Sequence, residues 1–244
     1  IRIEVAERKS VASSEWVTGR IALNTDRLAQ IDPLVDGIVH DVKVRFEDHV
    51  TASQVLAIID SREVGQAKLE HFQNRLTTRL ATTEAEWQQQ IDDNVQSLIV
   101  SLRKNVPIAD VTKQFADKAM GSYREQLVSA YARVHKSTAD NDRLKDLADK
   151  GVVAGKDFIA AKATYEADEA TLLALMEQIR YASRQSRLAA AQALEKARTA
   201  ESISATNLRI MGLTHVAGPD FDPTMEGEAV SHYSIKAPFD GVII

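Results

Sequence analysis

Histidines are the side chains of this sequence best suited to metal chemistry, because cysteine is absent. A neutral imidazole binds zinc and related cations well, and zinc-binding motifs place two such ligands a few residues apart. None of the six histidines has another histidine at that spacing. Each is therefore interpreted first as an exposed or locally hydrogen-bonded side chain. The candidate metal ligands are His215 and His232, which lie near four carboxylates, namely Asp220, Asp222, Glu226 and Glu228.

Catalytic groups do not form a recognisable pattern. There is no Ser-His-Asp order, no glycine-rich phosphate loop and no pair of carboxylates within an apolar stretch. Glu84 with Glu86 and Asp92 with Asp93 lie in a charged helical pattern, so we interpret them as solvated helix faces. The absence of cysteine excludes a Cys nucleophile, a thiolate zinc site and a disulfide framework. We therefore expect a protein that is not an enzyme.

Charge and hydropathy exclude two further classes. The net charge of −5 comes from mixed acidic and basic residues without a basic run, which argues against nucleic-acid binding. No apolar run approaches the roughly 20 residues of a membrane span, and residues 1–10 do not resemble a signal peptide. We expect the chain to be a fragment, because it stops directly after the turn signal Asp240-Gly241, where a strand should begin.

The segment from residue 62 to 213 has helical patterning and almost no glycine or proline. Between Ala116 and Ala148, inward positions alternate in steps of four and three, which indicates a coiled-coil seam. A second run places four apolar residues seven apart: Phe158, Tyr165, Leu172 and Ile179. Further inward positions of this run are Ala161, Leu175, Ala182 and Ala189. The connection at 149–155 is short, so it predicts the tip of an antiparallel helical hairpin.

The two arms of this hairpin differ in length. Arg62–Leu147 contains 86 residues and Lys156–Leu213 contains 58, a surplus of 28 in the first arm. Pro107 is the expected break, since proline lacks an amide donor and clashes with the preceding helical turn. We therefore predict separate helices at about 62–104 and 108–148, with the first packing as a third helix at the base.

Short β-strands are expected on both sides of the helices. Residues 1–28 contain two β-rich stretches, and residues 29–61 read as several short strands around the turn Asp36-Gly37. Residues 214–232 form an irregular link. Residues 233–244 repeat the earlier order of strand, Asp-Gly turn and strand, with the turn at Asp240-Gly241. The helical segment is thus an insertion between two similar β segments.

Residues 33–61 and 235–244 resemble the two halves of a lipoyl/biotinyl-like domain, and a hairpin inserted between such halves is typical of membrane fusion proteins. The chain is identified as a member of this family over nearly its whole length. The resemblance implies an α+β fold, with a long coiled-coil hairpin, broken near Pro107 into three helices, inside a split lipoyl-like β-domain. Residues 1–28 would then belong to an incomplete β-barrel or membrane-proximal part.

This resemblance implies a periplasmic adaptor that bridges an inner-membrane efflux transporter to an outer-membrane channel. Its copies would associate side by side into a ring, in the periplasm and next to the inner membrane. Two stretches, Gly19–Arg27 and Asn207–Leu213, are similar to the heavy-metal resistance-nodulation-division branch, so export of heavy-metal cations is expected. The alternative within the family is a multidrug or type I secretion adaptor.

The family also has an Arg, Leu, Ser pattern at the hairpin tip, which docks with the outer-membrane channel. Arg143 and Leu147 match this pattern, whereas Ala154 stands in place of the serine. The alternative is that Arg143 is only a solvated residue and Leu147 a seam residue. Two glycines usual in the family's first lipoyl half are replaced here by Glu47 and Ser53.

A lipoyl or biotin carrier would display a lysine on the turn between its two halves. The helical insertion replaces that turn, so we assign no cofactor. A carrier-domain enzyme subunit remains a further alternative, testable by mass spectrometry for an acylated lysine. A structural coiled-coil assembly protein remains another, and it predicts that residues 33–60 and 235–244 are not paired.

Overall fold

A computed structural model of the chain describes residues 1–22, 24–213, 222–223 and 227–244. It contains five short strands: β1 Ile38–Val42, β2 His49–Val50, β3 Val55–Asp60, β4 His232–Lys236 and β5 Gly241–Val242. Four α-helices lie between β3 and β4 in the chain: α1 Arg62–Arg103, α2 Ile108–Gln114, α3 Tyr123–Asp149 and α4 Gly155–Ile210. The chain divides into two compact units, one of residues 1–33, 40–58 and 234–244 and one of residues 34–39 and 59–233.

The first unit is a small β module. Strand β3 lies between β1 and β4, and β2 pairs with β5 in an antiparallel ladder that places Val50 opposite Gly241. Its core is a cluster of the buried side chains of Val50, Leu56 and Ala237. The strands are short because turns interrupt them every few residues.

Backbone hydrogen bonds join the two β segments that flank the helices. The amide of Glu47 donates to the carbonyl of Ile243 at 2.9 Å, and that of Ser53 to the carbonyl of Ala237 at 2.7 Å. In return, the amide of Ala237 donates to the carbonyl of Gln54 at 2.9 Å. The predicted contact between the two half-motifs is therefore confirmed, and the coiled-coil assembly alternative, which required them unpaired, is contradicted.

The strands expected in residues 1–28 are not formed. Among residues 1–22 and 24–28, the structure has one regular element, a 3₁₀ turn at Thr25–Arg27 that is capped by the Asn24 side chain. The alternating residues Ile1, Ile3 and Val5 are almost fully exposed. Alternation produces a strand only where another strand supplies hydrogen-bond partners, and none of the described strands pairs with this segment. That prediction is wrong for the chain as it stands.

The second unit is dominated by antiparallel helices that pack on α4. Contacts between α1 and α4 run in opposite directions along the two helices, from His71 with Ser204 to Arg103 with Glu177. Helix α3 packs on the other half of α4. Helix α4 contains 56 residues, which at about 1.5 Å per residue makes it about 84 Å long. No described helix is both long enough and apolar enough to span a bilayer.

The first arm is broken where Pro107 predicts it. Asn105 adopts a left-handed conformation (φ 52°), and the amides of Asn105 and Val106 donate to the carbonyls of Leu102 and Ser101. These two bonds form a Schellman motif that ends α1 before the proline. The break predicted at Pro107 is confirmed.

Two details of the first arm differ from the prediction. The helix expected over 108–148 is divided into α2 and α3 by residues 115–122, and α1 pairs directly with α4 instead of packing as a third helix at the base. The 19 residues between the end of α1 and the start of α3 account for most of the surplus of 28, and the interruption within them includes Gly121 at φ 55°. Phe115 and Met120 are buried there in the cluster that joins the end of α1 to α3 and α4. Burial of these large side chains favours the irregular path over a continuous helix.

The predicted seam is mostly confirmed. From Tyr123 to Ala148 every predicted inward position of α3 is buried or half-buried, and in α4 both Leu172 and Ile179 are buried. Ala116 and Ala189 are exposed, contrary to the prediction. In the second half of α4, the buried residues Ser183, Ala197 and Ser204 follow a different seven-residue frame, and Leu208 is buried one turn after Ser204. The expected link at 214–232 lies largely outside the described residues.

Candidate functional site

The tip of the hairpin is a tight, hydrogen-bonded turn. Helix α3 ends at Asp149, and Gly151 follows with φ 71°. The amide of Gly151 donates to the carbonyl of Ala148, and that of Val152 donates to the carbonyl of Leu147, both at 2.9 Å. This is a Schellman motif, in which glycine supplies the left-handed residue without strain. The tip therefore has a defined conformation around Leu147.

Ala154 occupies the N-cap of α4. Its side chain makes no capping hydrogen bond, and the amide of Asp157 instead donates to its backbone carbonyl at 2.9 Å. A serine at an N-cap accepts a hydrogen bond from a free amide of the first turn. The alanine at position 154 therefore removes a cap that the family pattern would supply.

Arg143 and Leu147 lie four residues apart on α3, so they share one helix face. The guanidinium of Arg143 contacts the Asp140 carboxylate at 3.0 Å, and its side chain is 68% exposed. Leu147 is half-buried. Arg143 can thus donate hydrogen bonds to a partner after breaking only an exposed ion pair, which is a weak contact.

A shallow groove of about 510 Å³ lies between α3 and α4 near this tip. Arg143 and Lys136 line it from α3, and Asp157 and Asp168 line it from α4. Leu147 and Ala154 do not line it. The structure therefore brings Arg143 into a polar groove and leaves the other two predicted tip residues at the end of the hairpin.

The seam pattern of the sequence does not identify two exposed apolar residues near the tip. Val152 and Ile159 are each 67% exposed. Val152 lies in the turn, and Ile159 follows the seam residue Phe158, so both lie outside the pattern that identifies inward positions. The sequence does contain one sign of this exposure. A large apolar residue next to a seam position, such as Ile159, must point away from the partner helix.

Of the two candidate metal ligands, His232 is described, and His215 lies outside the described residues. The imidazole Nε2 of His232 lies 3.2 Å from the Asp60 carboxylate. That carboxylate also accepts a hydrogen bond from the Ser231 hydroxyl at 3.3 Å. Asp60 is far from His232 in sequence, so spacing could not have revealed this pair. The contact is an ion pair when the imidazole is protonated.

One carboxylate interpreted as solvated is buried. Asp92 is only 5% exposed; its Oδ1 accepts from the Ser183 hydroxyl at 2.7 Å, and its Oδ2 lies 3.0 Å from Nε of Arg187. Its neighbour Asp93 is exposed, as are Glu84 and Glu86. The interpretation is wrong for Asp92, because α1 turns this residue toward α4.

His71 is likewise buried, and its Nδ1 lies 3.1 Å from the Ser204 hydroxyl. A serine and a histidine in contact could suggest nucleophilic catalysis. Both side chains are at least 97% buried, so a substrate has no access to them. This contact holds α1 to α4 and is not an active site.

Comparison with known proteins gives one family. Residues 27–244 match the family model of the CzcB-like, barrel-sandwich hybrid domain. No curated protein sequence matches the chain.

Among solved structures, the chain is similar to the periplasmic adaptor protein EmrA, with 18% identity and a TM-score of 0.29 over 88% of this chain. It is also similar to the soluble domain of LipC, a membrane fusion protein of a type I secretion system, with 14% identity and a TM-score of 0.28. The match covers 88% of this chain and 91% of the LipC chain. The chain spans only 64% of the length of the EmrA chain.

Proposed function

Because this chain belongs to the family of CzcB-like barrel-sandwich hybrid domains, we propose that it is a periplasmic adaptor that bridges an inner-membrane efflux transporter to an outer-membrane channel. The observation that carries this proposal is the family match over residues 27–244. In this proposal, residues 29–61 and 233–244 are the two halves of a lipoyl-like domain, and residues 62–213 are the hairpin. The function is mechanical, and no catalytic step is assigned to it.

The hairpin supports a bridging role through its length. A helix pair about 84 Å long buries little surface per residue, so its length needs a functional reason. At its base, the amide of Ser61 donates to the carbonyl of Ser231 at 2.9 Å, which ties the chain entering α1 to the chain that follows the helices. A hairpin with a hydrogen-bonded base and a structured tip is suited to holding two partners at a fixed separation.

For the exported substrate we propose heavy-metal cations. The family match to CzcB-like domains and the similarity of Gly19–Arg27 and Asn207–Leu213 to the heavy-metal branch support this choice. The test is deletion of the gene, followed by growth with zinc, copper, cobalt, nickel and a panel of drugs. Sensitivity to at least one metal is expected, with rescue by the intact gene. Sensitivity to drugs alone would overturn the heavy-metal proposal in favour of a multidrug adaptor.

For the outer-membrane channel we propose docking through the tip residues Arg143, Leu147 and Ala154. The exposure of Arg143 and the fixed turn around Leu147 support this proposal. Arg143→Glu is expected to abolish co-purification of the channel, since it reverses the charge offered to the partner. Lys145→Glu is the matched control, because Lys145 is an exposed cation on the same helix. Equal loss in both variants would argue against a specific role for Arg143.

For self-association we propose that copies pack side by side into a ring through two apolar stripes. Both stripes point away from the contact between α1 and α4. The stripe on α1 consists of Leu69, Leu76, Leu80 and Trp87, and the stripe on α4 consists of Ile159, Leu173, Tyr181, Leu188, Ile203 and Ile210. These side chains are 44–73% exposed. Their spacings of 4, 7, 8, 14 and 15 residues are close to whole numbers of helical turns, so each stripe stays on one side of its helix. Rows of exposed apolar side chains of this kind mark interaction sites.

A further inference from the structure

The base of the hairpin is held by polar side chains of α1. His71 contacts Ser204, and Asn74 donates from Nδ2 to the carbonyl of Ala200 at 3.3 Å. One turn earlier, the ammonium of Lys68 donates to the carbonyl of His232 at 3.3 Å. Among these side chains, His71 is the one whose charge can change near neutral pH, because it carries an imidazole. It is 3% exposed. Its protonation state therefore affects a contact that closes the hairpin.

The hydrogen bonds determine the tautomer of His71. The Ser204 hydroxyl donates its hydrogen to the carbonyl of Glu201 at 2.9 Å. It can then only accept from His71, so Nδ1 of the imidazole carries the hydrogen. The other ring nitrogen, Nε2, is buried and has no hydrogen-bond partner among the described residues. A neutral His71 fits this site, with one bonded N–H and one buried lone pair.

We propose that His71 is a proton-operated release for the base of the hairpin, which holds α1 against α4 when it is neutral and weakens this contact when it is protonated. Protonation adds an N–H at Nε2, where no acceptor is available among the described residues, and it places a charge between two helices. Both changes are unfavourable in a buried site. This inference goes beyond the proposed function and does not depend on it.

The surrounding charges do not cancel this effect. Burial lowers the pKa of His71, and the Arg75 guanidinium on α1 adds to that shift; the Glu201 carboxylate on α4 and a hydrogen bond to the Glu201 backbone oppose it, but the pKa remains lowered. The charge of Lys68 on α1 also lies on this part of the helix. Because the folded-state pKa lies below the ordinary value of 6.5, the unfolded chain binds the proton more readily. Stability from this site is complete above pH 6.5 and is lost as the pH falls below it.

The test is hydrogen exchange of the intact chain between pH 5 and pH 8, expressed as protection factors corrected for the intrinsic exchange rate. In the wild type, protection of residues 62–75 and 200–208 is expected to fall by up to about tenfold per pH unit below about pH 6.5. Residues 91–102, in the apolar cluster, serve as an internal reference and should change less.

His71→Asn should remove this pH dependence, because its amide can still donate to Ser204 but does not take up a proton. His135→Asn is the matched control, since His135 is exposed on α3 and its removal should leave the response unchanged. A wild type without the pH response, or a His71→Asn variant that keeps it, would overturn the proposal.

A second variant covers the case in which His71→Asn fails to fold. Ser204→Ala keeps the imidazole and removes the oxygen that accepts from Nδ1. Since the protonated ring donates the stronger hydrogen bond, this loss should move the transition to lower pH. An unchanged midpoint would contradict the role assigned to His71.

Discussion

At the scale of single residues, Glu47 and Ser53 occupy backbone conformations that favour glycine. Their φ angles are 70° and 68°. Each is held there by its own amide, which donates to a carbonyl of the second β segment. The left-handed region costs a non-glycine residue roughly 1–2 kcal/mol. The strain is therefore the consequence of pairing the two β segments.

Ser53→Gly is expected to stabilise the β module, because it relieves this strain while the backbone hydrogen bond to Ala237 remains. The gain should be about 0.5–1 kcal/mol, since glycine also loses more conformational entropy on folding. Denaturant unfolding measures it. Ala52→Gly is the control in the same turn, because Ala52 has no positive φ, and it should be neutral or destabilising. A loss of stability in Ser53→Gly would show that the left-handed conformation costs little here.

The two Asp-Gly turns of the internal repeat are expected to differ in their tolerance of alanine. A Cβ atom at Gly37 would lie 2.3 Å from Cγ2 of Ile59 and 2.5 Å from the carbonyl oxygen of Asp60. A Cβ at Gly241 would lie no closer than 3.8 Å to the Phe239 ring. Gly37→Ala should therefore cost about 1–3 kcal/mol, and Gly241→Ala much less. Thermal unfolding of the two variants compares them, and equal losses would contradict the close contact at Gly37.

At the scale of elements, the start of α4 lacks a side-chain cap. Ala154→Ser is expected to stabilise the chain by about 1 kcal/mol, because the hydroxyl can accept from a free amide of the first turn. Ala160→Ser, at an exposed position inside the same helix, should instead be destabilising by a few tenths of a kcal/mol. Denaturant unfolding of both variants tests the difference. If Ala154→Ser leaves the free energy of unfolding unchanged, the amides of the first turn of α4 already have hydrogen-bond acceptors in the tip turn.

The buried contact of Asp92 with Ser183 and Arg187 links α1 to α4 at the edge of the apolar cluster. Asp92→Ala removes the shorter of the two hydrogen bonds of the Ser183 hydroxyl, which keeps only the Arg180 carbonyl at 3.2 Å, and it leaves the Arg187 guanidinium without this carboxylate. Removing one member of a buried pair costs about 3–5 kcal/mol; the partial exposure of Arg187 places the expected loss at the lower end. Asp93→Ala is the matched control, since the neighbouring carboxylate is exposed, and it should change the free energy of unfolding little. Similar values for the two variants would contradict this role of Asp92.

The helix ends were predictable because local residues determine them. Gly151 and Pro107 act within one turn of the chain, so their position in the sequence was sufficient. The interruption at 115–122 was not predictable, since the seam spacing continues through it and the burial of Phe115 depends on distant helices. For the same reason, the burial of Asp92 and His71 depends on partners 91 and 133 residues away. Spacing within one helix does not identify such partners.

At the scale of the whole molecule, the two apolar stripes lie on opposite flanks of the pair formed by α1 and α4. A contact between the α1 stripe of one copy and the α4 stripe of the next joins two different surfaces. Such a heterologous contact repeats from copy to copy and closes into a ring when the rotation permits. A contact between identical stripes would instead stop at a dimer. The two assemblies are therefore distinguishable by their stoichiometry.

We expect the wild-type chain to form assemblies larger than a dimer in sedimentation equilibrium, and Leu173→Glu with Leu188→Glu to prevent this. Each buried leucine contributes about 1.5–3 kcal/mol, and a carboxylate at the same position would be costly to bury. The control pair is Thr171→Glu with Gln178→Glu, which adds the same charge at exposed positions of α4 outside the stripe. The control should assemble as the wild type does.

The direction of the contact can be tested by mixing two variants. Leu76→Glu with Leu80→Glu blocks the α1 stripe and leaves the α4 stripe intact, whereas the α4 variant has the opposite defect. In a heterologous contact, each variant alone is monomeric, and the mixture forms heterodimers and nothing larger, because each partner supplies one intact stripe. If the α1 variant alone still forms dimers, the contact joins identical stripes. That result, or a wild type that is monomeric at every concentration, would reject the ring.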